Sequence, residues 1–295
     1  MSESTASLRR KIAGARELQS VVRTMKAVAA SSIGQYEHSV RALADYYRAV
    51  ELGLGACFRS RGPVPFMTKS NATNVAIGAV AFGSDQGLVG PFNDVVADYA
   101  VAALSKIPGR PDVWAMGERV YGRLADAGLA MAGCYEVPSS VQAITPLVGR
   151  ILVAWEAHHD PDDDGAELYL FHNRPTPGGV YGPVQQRLLP LDAAWRQNLY
   201  AQPWPSGNLP EVMGSDAATL GALLRGYLFV SLFRACAESL ASENASRLAA
   251  MQRAEKNITD LLVDLNSTFH RLRQQGIDEE LFDVISGFES QLPEN

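Results

Sequence analysis

Apolar residues recur every seven positions at both ends of this chain, and in short buried runs between them. From about Ser7 to Leu54 there is no proline. One seam reads Leu8, Ala15, Val22, Ala29, Tyr36, Leu43, Val50, and a second reads Ile12, Gln19, Lys26, Ile33, Val40, Tyr47, Leu54. A sustained heptad beat marks a helix that offers one face to another helix. Globular helices average about 11–12 residues; at 1.5 Å per residue this segment predicts a rod of roughly 70 Å. The C-terminal end repeats the behaviour. No proline lies between Pro210 and Pro293, and Ser215 followed by Asp216 supplies a helix start. One seam runs Leu220, Tyr227, Arg234, Ala241, Leu248, Glu255, Leu262, Phe269. Its companion runs Leu223, Val230, Ala237, Asn244, Met251, Ile258, Leu265, Leu272. That rod would reach on the order of 100 Å, with Gly276 as the one plausible break. Two such amphipathic helices joined by a compact middle predict an antiparallel coiled coil.

The middle has a different texture. Short strands are predicted at "NVAIGAVAF", "DVWAMG", "ELYLFHNR" and "VQQRLLPL", and helices at "PFNDVVADYAVAAL", "ERVYGRLADAG" and "SSVQAITPLVGRILVAWEAHH". Strand alternating with helix predicts a Rossmann-like α/β domain. The expected divisions are an N-terminal coiled-coil helix over 1–58, the α/β domain over 72–195, a polar, Pro-rich connector over 196–214, and a C-terminal coiled-coil helix over 215–290. "TMKAVAAS" (Thr24–Ser31) and "ESLASENASRLAAM" (Glu238–Met251) are both depleted of large side chains. Small residues at one depth predict a narrow waist where two helix backbones close in.

Composition narrows the function classes. With 47% hydrophobic and 20% charged residues and a formal net charge of −6, the chain lacks the basic balance of a general nucleic-acid binder. Cys57, Cys134 and Cys236 lie far apart, the pattern of free thiols in a reducing compartment. No run approaches 18 uninterrupted apolar residues, so no direct membrane insertion is expected.

Candidate chemistry is thin. "GSDQGLVG" (Gly83–Gly90) follows a strand and precedes a helix, where phosphate loops occur, but its spacing is neither GxGxxG nor GxxxxGK[ST] and it has no lysine. A strand-to-helix turn that needs small residues is the plainer reading. "DPDDDG" (Asp160–Gly165) matches the first half of a calcium loop, yet Phe171 stands where the bidentate Glu belongs. His158 and His159 have no third ligand nearby in sequence. No nucleophile setting and no carboxylate pair stands out, so no catalytic residue, cofactor or metal is assigned.

Four stretches together resemble the γ subunit of F-type ATP synthases: "LRRKIAGARELQSVVRTMKAVAAS", "SDQGLVG", "LASENASRLAAMQRAEKNITDLLVDL" and "RQQGIDEELFDVISG". The resemblance covers nearly the whole chain and keeps the order helix, α/β domain, helix. It implies a non-catalytic central stalk that couples ion flow to ATP synthesis or hydrolysis by rotation. The implied partners are the α and β subunits around the coiled coil, and ε and the membrane c-ring at the α/β domain. The implied place is the cytoplasmic face of a bacterial inner membrane, held there peripherally by those partners.

It also implies subunit-interface residues. Met25 and Lys26 match a segment near β, with Arg247 on the facing helix, and Ser84, Asp85 and Gln86 match the central turn. Arg273, Gln274, Ile277, Glu280 and Leu281 match the C-terminal segment that interacts with the ring of alternating α and β subunits. Gln86 and Val89 stand where the family's turn usually carries an arginine and a cysteine, and Lys26 where many relatives carry an acidic residue. The style of the N-terminal helix also resembles the second-operon ATPases of some bacteria, for which sodium is the proposed ion. Two other classes fit the residues alone: a nucleotide-binding α/β protein with helical arms, and a static coiled-coil adaptor.

Overall fold

The structure is a computed structural model describing residues 4–61, 76–158, 166–176, 181–191, 193–208, 210–211 and 215–289. The acidic run Asp160–Gly165, with His159, lies outside the described residues.

The predicted seams form two long helices, α1 (Thr5–Ala42) and α7 (Asp216–Glu289). A third helix, α2 (Ala44–Arg61), carries the N-terminal seam onward after a one-residue irregularity at Leu43. Hydrogen bonds bridge that point, from Leu43 N–H to the Ser39 carbonyl (3.2 Å) and from Tyr47 N–H to the Leu43 carbonyl (2.9 Å). Every N-terminal seam residue is buried or half-buried; in the C-terminal seams only Arg234 is exposed.

The chain divides into two compact units, and both long helices contribute to each. In the first, Met1–Val28 with Leu248–Asn295, α1 and α7 run antiparallel. Arg9 lies over the Phe269 ring (5.3 Å), Gln19 donates to Thr259 (3.1 Å), and Arg23 and Lys26 both reach Glu255. As residue numbers rise on α1 they fall on α7, the register of an antiparallel pair. Leu8, Ile12 and Ala15 fill the seam.

The second unit, Ala29–Arg247, is built on a five-stranded sheet. Its strands are β1 (Ile77–Phe82), β2 (Asp112–Met116), β3 (Ala130–Tyr135), β4 (Glu167–Arg174) and β5 (Gly182–Leu189), in the order β3-β2-β1-β4-β5. The first four pair in parallel and β5 closes the edge antiparallel to β4. Side chains alternate as a sheet covered on both faces requires. Ile77, Ala79 and Ala81 pack with α3 (Phe92–Leu104) and α4 (Glu118–Asp126). Val80 and Phe82 face the opposite way, into a core shared with α5 (Val141–His158), α2, α6 (Ala193–Ala201) and α7. The Rossmann-like expectation holds.

Three expectations change. "AMAGCY" is a fifth strand, β3, that small residues hid; it is a half-buried edge with a bulge opposite Val113 and Trp114. The start of the supposed connector is helix α6, docked on α2: Leu199 is buried and the Trp195 indole N–H donates to Glu51 (3.1 Å). Arg59 closes the end of α6 with bonds to the Leu199, Tyr200 and Gln202 carbonyls (3.4, 3.3 and 3.1 Å). The narrow waist is absent, because the backbones of α1 and α7 stay more than 8 Å apart almost throughout. In "TMKAVAAS" only Ala29 is buried, so most of that stretch is surface.

Candidate functional site

In an open parallel sheet a ligand binds beyond the carboxyl ends of the strands, where the strand order reverses. Here that crevice lies at β1 and β4, since β2 and β3 lie on one side of β1 and β4 and β5 on the other. It is filled by the chain's own helix. Ser242 Oγ of α7 shares its proton between the Glu238 carbonyl of its own helix (2.8 Å) and the Asn173 carbonyl at the end of β4 (3.1 Å), and Ser246 Oγ donates to the Val89 carbonyl in the turn after β1 (2.5 Å). Cys236 Sγ lies 3.9 Å from Met116 Sδ at the end of β2. This is the physical reason for the small residues of "ESLASENAS": alanine and serine let α7 lie against strand ends and donate to their carbonyls.

The turn Gly83–Gly90 is an internal hub. Ser84, fully buried, receives the Asn93 amide on its Oγ (2.8 Å) and gives its own N–H to Asn93 Oδ1 (2.9 Å). Asp85 caps the start of α4, accepting from Glu118 N–H (3.0 Å) and from Val137 N–H (2.8 Å). The glycines serve close packing. A Cβ on Gly83 would sit 2.4 Å from Val120, and one on Gly117, where φ is 108°, would sit 2.7 Å from the Ser84 backbone.

Beside this hub α7 is pinned by charge. Glu238 accepts from His172 Nε2 (2.8 Å), Arg174 Nε (2.6 Å) and Arg234 Nε (2.8 Å). Burial pushes the Glu238 carboxyl up, but those hydrogen bonds outweigh it and hold its pKa at about 2. Burial lowers the His172 pKa despite Glu238, so the ring is neutral, donates through Nε2, and leaves Nδ1 without a partner. One turn on, Glu243 pairs with Arg247 (2.5 Å). Burial raises its pKa, Arg247 pulls the other way, and Asp85 adds to the rise.

The residues taken from the resemblance fall into three groups. Asp85, Gln86 and Arg247 line one cavity, with Ser84 directly behind them. Met25 and Lys26 are half-buried on α1, and Lys26 Nζ bonds Glu255 (2.5 Å), which Arg23 also reaches (2.9 Å). The unusual lysine is thus neutralised within its own helix pair. Arg273, Gln274, Ile277, Glu280 and Leu281 are all exposed on α7, spaced so that they share adjoining faces. Sequence reasoning missed the Glu238 network; Glu238 and Arg234 at i, i+4 were its visible part, while His172 and Arg174 join only through the sheet.

Among the described residues no three His, Cys, Asp or Glu side chains are placed to hold a metal. α7 includes a window apolar enough for a bilayer by hydropathy, but 56% of it is buried, as suits a core helix.

A profile of the family described as ATP synthase matches residues 4–290. The chain belongs to the ATP synthase γ-chain family. A γ chain of Dechloromonas aromatica is 24% identical over 285 residues, covering 95% of this chain and 96% of the relative. One of Phocaeicola vulgatus is 28% identical over 289 residues, covering 94% and 96%. Among solved structures, a chain of the Euglena gracilis mitochondrial ATP synthase OSCP/F1/c-ring assembly aligns at TM-score 0.61 and 16% identity, covering 99% of this chain and 97% of that one. The likeness of fold therefore covers nearly all of this chain.

Proposed function

We propose that this γ chain is the turning shaft of an F-type ATP synthase and does no bond chemistry itself. The observation that carries this reading is the crevice at the carboxyl ends of the sheet: α7 occupies the place where a related sheet would hold a nucleotide. The α/β domain thereby anchors a helix instead of binding a substrate. This placement of α7 counts against a nucleotide-binding enzyme with helical arms.

The exposed faces support partners around the shaft. On α1, Leu18, Val21 and Val28 are 50–60% exposed, and with half-buried Met25 they form one stripe. On α7, Ile277, Leu281, Phe282, Val284 and Ile285 are 45–69% exposed. Contiguous apolar surface of this kind marks an interaction site. In the proposed assembly Met25, Lys26 and Arg247 lie near β, and Arg273, Gln274, Ile277, Glu280 and Leu281 meet the surrounding ring of α and β subunits. The α/β domain, with Ser84, Asp85 and Gln86, would stand toward ε and the c-ring. The complex would sit on the cytoplasmic face of a bacterial membrane.

Co-purification tests the proposal. A tagged chain should bring down two larger ATPase subunits, each in threefold excess. Recovery of a self-paired dimer with no ATPase activity would favour the static adaptor and end the rotor reading.

A further inference from the structure

Two arginines share one carboxylate where α7 meets the end of β4. Glu238 offers Oε2 to Arg174 Nε (2.6 Å) and to His172 Nε2 (2.8 Å), and Oε1 to Arg234 Nε (2.8 Å). Burial keeps His172 neutral, so its ring adds no charge. One ionised carboxylate therefore balances one guanidinium, and a positive charge is left over. Elsewhere in this unit the pairing is one to one, Arg123 with Asp94 and Arg247 with Glu243. Among the described residues no second carboxylate pairs with Arg174 or Arg234.

The surplus stands at the surface. The Glu238 side chain is 8% exposed, while those of Arg174 and Arg234 are 37% and 48% exposed. The carboxylate is the buried anchor, and the two guanidinium groups supply the part that meets solvent. Each engages the anchor through Nε, and a guanidinium has more N–H donors than a carboxylate shared three ways can receive. Since the two Nε atoms sit on the two oxygens of one carboxylate, the groups are neighbours, and like charges held that close repel. An anion set against both turns the repulsion into attraction for itself. The planar fork of donors selects its class, because it matches the paired oxygens of a carboxylate or a phosphate. Glu238 already restrains both arginines, which reduces the ordering cost of such a contact.

We propose that Arg174 and Arg234 together bind an oxyanion at the surface of the α/β domain, with Glu238 as their positioning residue. The oxyanion is either free phosphate or a carboxylate of a neighbouring polypeptide.

Phenylglyoxal modification of the purified full-length chain, mapped by mass spectrometry with inorganic phosphate as the probe, tests the site. Phosphate should slow modification of Arg174 and Arg234 saturably, by about tenfold. Arg48 and Arg225, exposed on α2 and α7, should react at an unchanged rate. Arg234→Lys keeps the charge and removes the fork, and should raise the phosphate needed to protect Arg174 by about tenfold. Equal slowing at all four arginines, no slowing at Arg174 and Arg234, or unchanged protection of Arg174 in Arg234→Lys would overturn the proposal. If Arg234→Lys fails to fold, Arg174→Lys read at Arg234 decides in the same way. The assembled complex separates the sources. Slow modification of both arginines before phosphate is added means that a neighbour's carboxylate is seated. Fast modification that phosphate slows means a free anion, and fast modification that phosphate leaves untouched counts against the site.

Discussion

Between Leu228 and Ser246, α7 buries alanines, serines and two glutamates; between Leu261 and Ile285 the same helix leaves leucine, valine, isoleucine and phenylalanine in solvent. In the first stretch the decisive quantity is size, because the helix lies against strand ends and must give its polar groups partners there. In the second, Leu261, Val263, Ile277, Leu281, Phe282, Val284 and Ile285 have little among the described residues to cover them. One stretch is specified by the protein's own fold, the other by whatever surrounds it.

Breaking the first stretch should cost the most. Glu238→Ala removes the shared acceptor of His172, Arg174 and Arg234 and should destabilise the chain by about 4 kcal/mol, read from denaturant midpoints. A loss below about 1 kcal/mol would mean the network is a bystander. Acid should report the same contact more gently. The Glu238 pKa is depressed to about 2 when folded, against an ordinary value of 4.5, so its contribution is full above pH 4.5 and fades as pH falls toward 2. The expected loss over that window is about 3 kcal/mol, and it should vanish in Glu238→Ala. Smaller again, Ser246→Ala deprives the Val89 carbonyl of its donor and should cost about 1 kcal/mol.

How much of this the sequence disclosed follows the same line. The long helices were legible because heptad spacing reports burial directly, and Leu8, Ile12, Ala29, Tyr36 and Leu54 are buried as the seams require. The α/β class was legible from its alternating runs. β3 was not, since an edge strand of Ala, Met, Gly and Cys has neither β-branched residues nor alternation. α6 was hidden by the Pro-rich segment after it. The purpose of the small residues was misassigned to a helix crossing, because nothing along α7 says that strand ends from far away in sequence will lie against it. The charge network joins β4 to α7 over more than sixty positions, a pairing that local patterns do not encode.

The first unit offers an intermediate test. Lys26 and Arg23 share Glu255 across the two helices, and bonds to both cations hold that carboxyl below its ordinary pKa. Lys26→Glu would set two carboxylates face to face, and Glu255→Lys in the same chain should restore the pair. Stability should change slightly and only at low ionic strength, since an exposed pair is screened by salt. Coupled ATP turnover in the assembled complex should fall in the single variant and recover in the double one. A deficit that persists in the double variant would show that Lys26 acts outward, toward a partner, and not across the helix pair.

The least effect on the chain itself is expected where its surface is most apolar. Leu281→Ser with Phe282→Ser changes side chains that are 57% and 69% exposed, so little buried area is lost. Helix propensity alone sets the expected cost, about 0.5 kcal/mol or less per site. The unfolding midpoint of the isolated chain should therefore hardly move, while recovery of the complex in pull-downs should drop. Ending the chain after Gly287 should spare both readouts, because a surface that turns against its surroundings needs shape more than any particular terminal bond. The two arms pull apart cleanly. If the double serine variant lost 2 kcal/mol of intrinsic stability, those residues would be packing within the chain, and the contrast between the two stretches of α7 would collapse. If neither stability nor assembly changed, the exposed apolar face would have no partner, and a shaft held by contacts along that end would be the wrong picture.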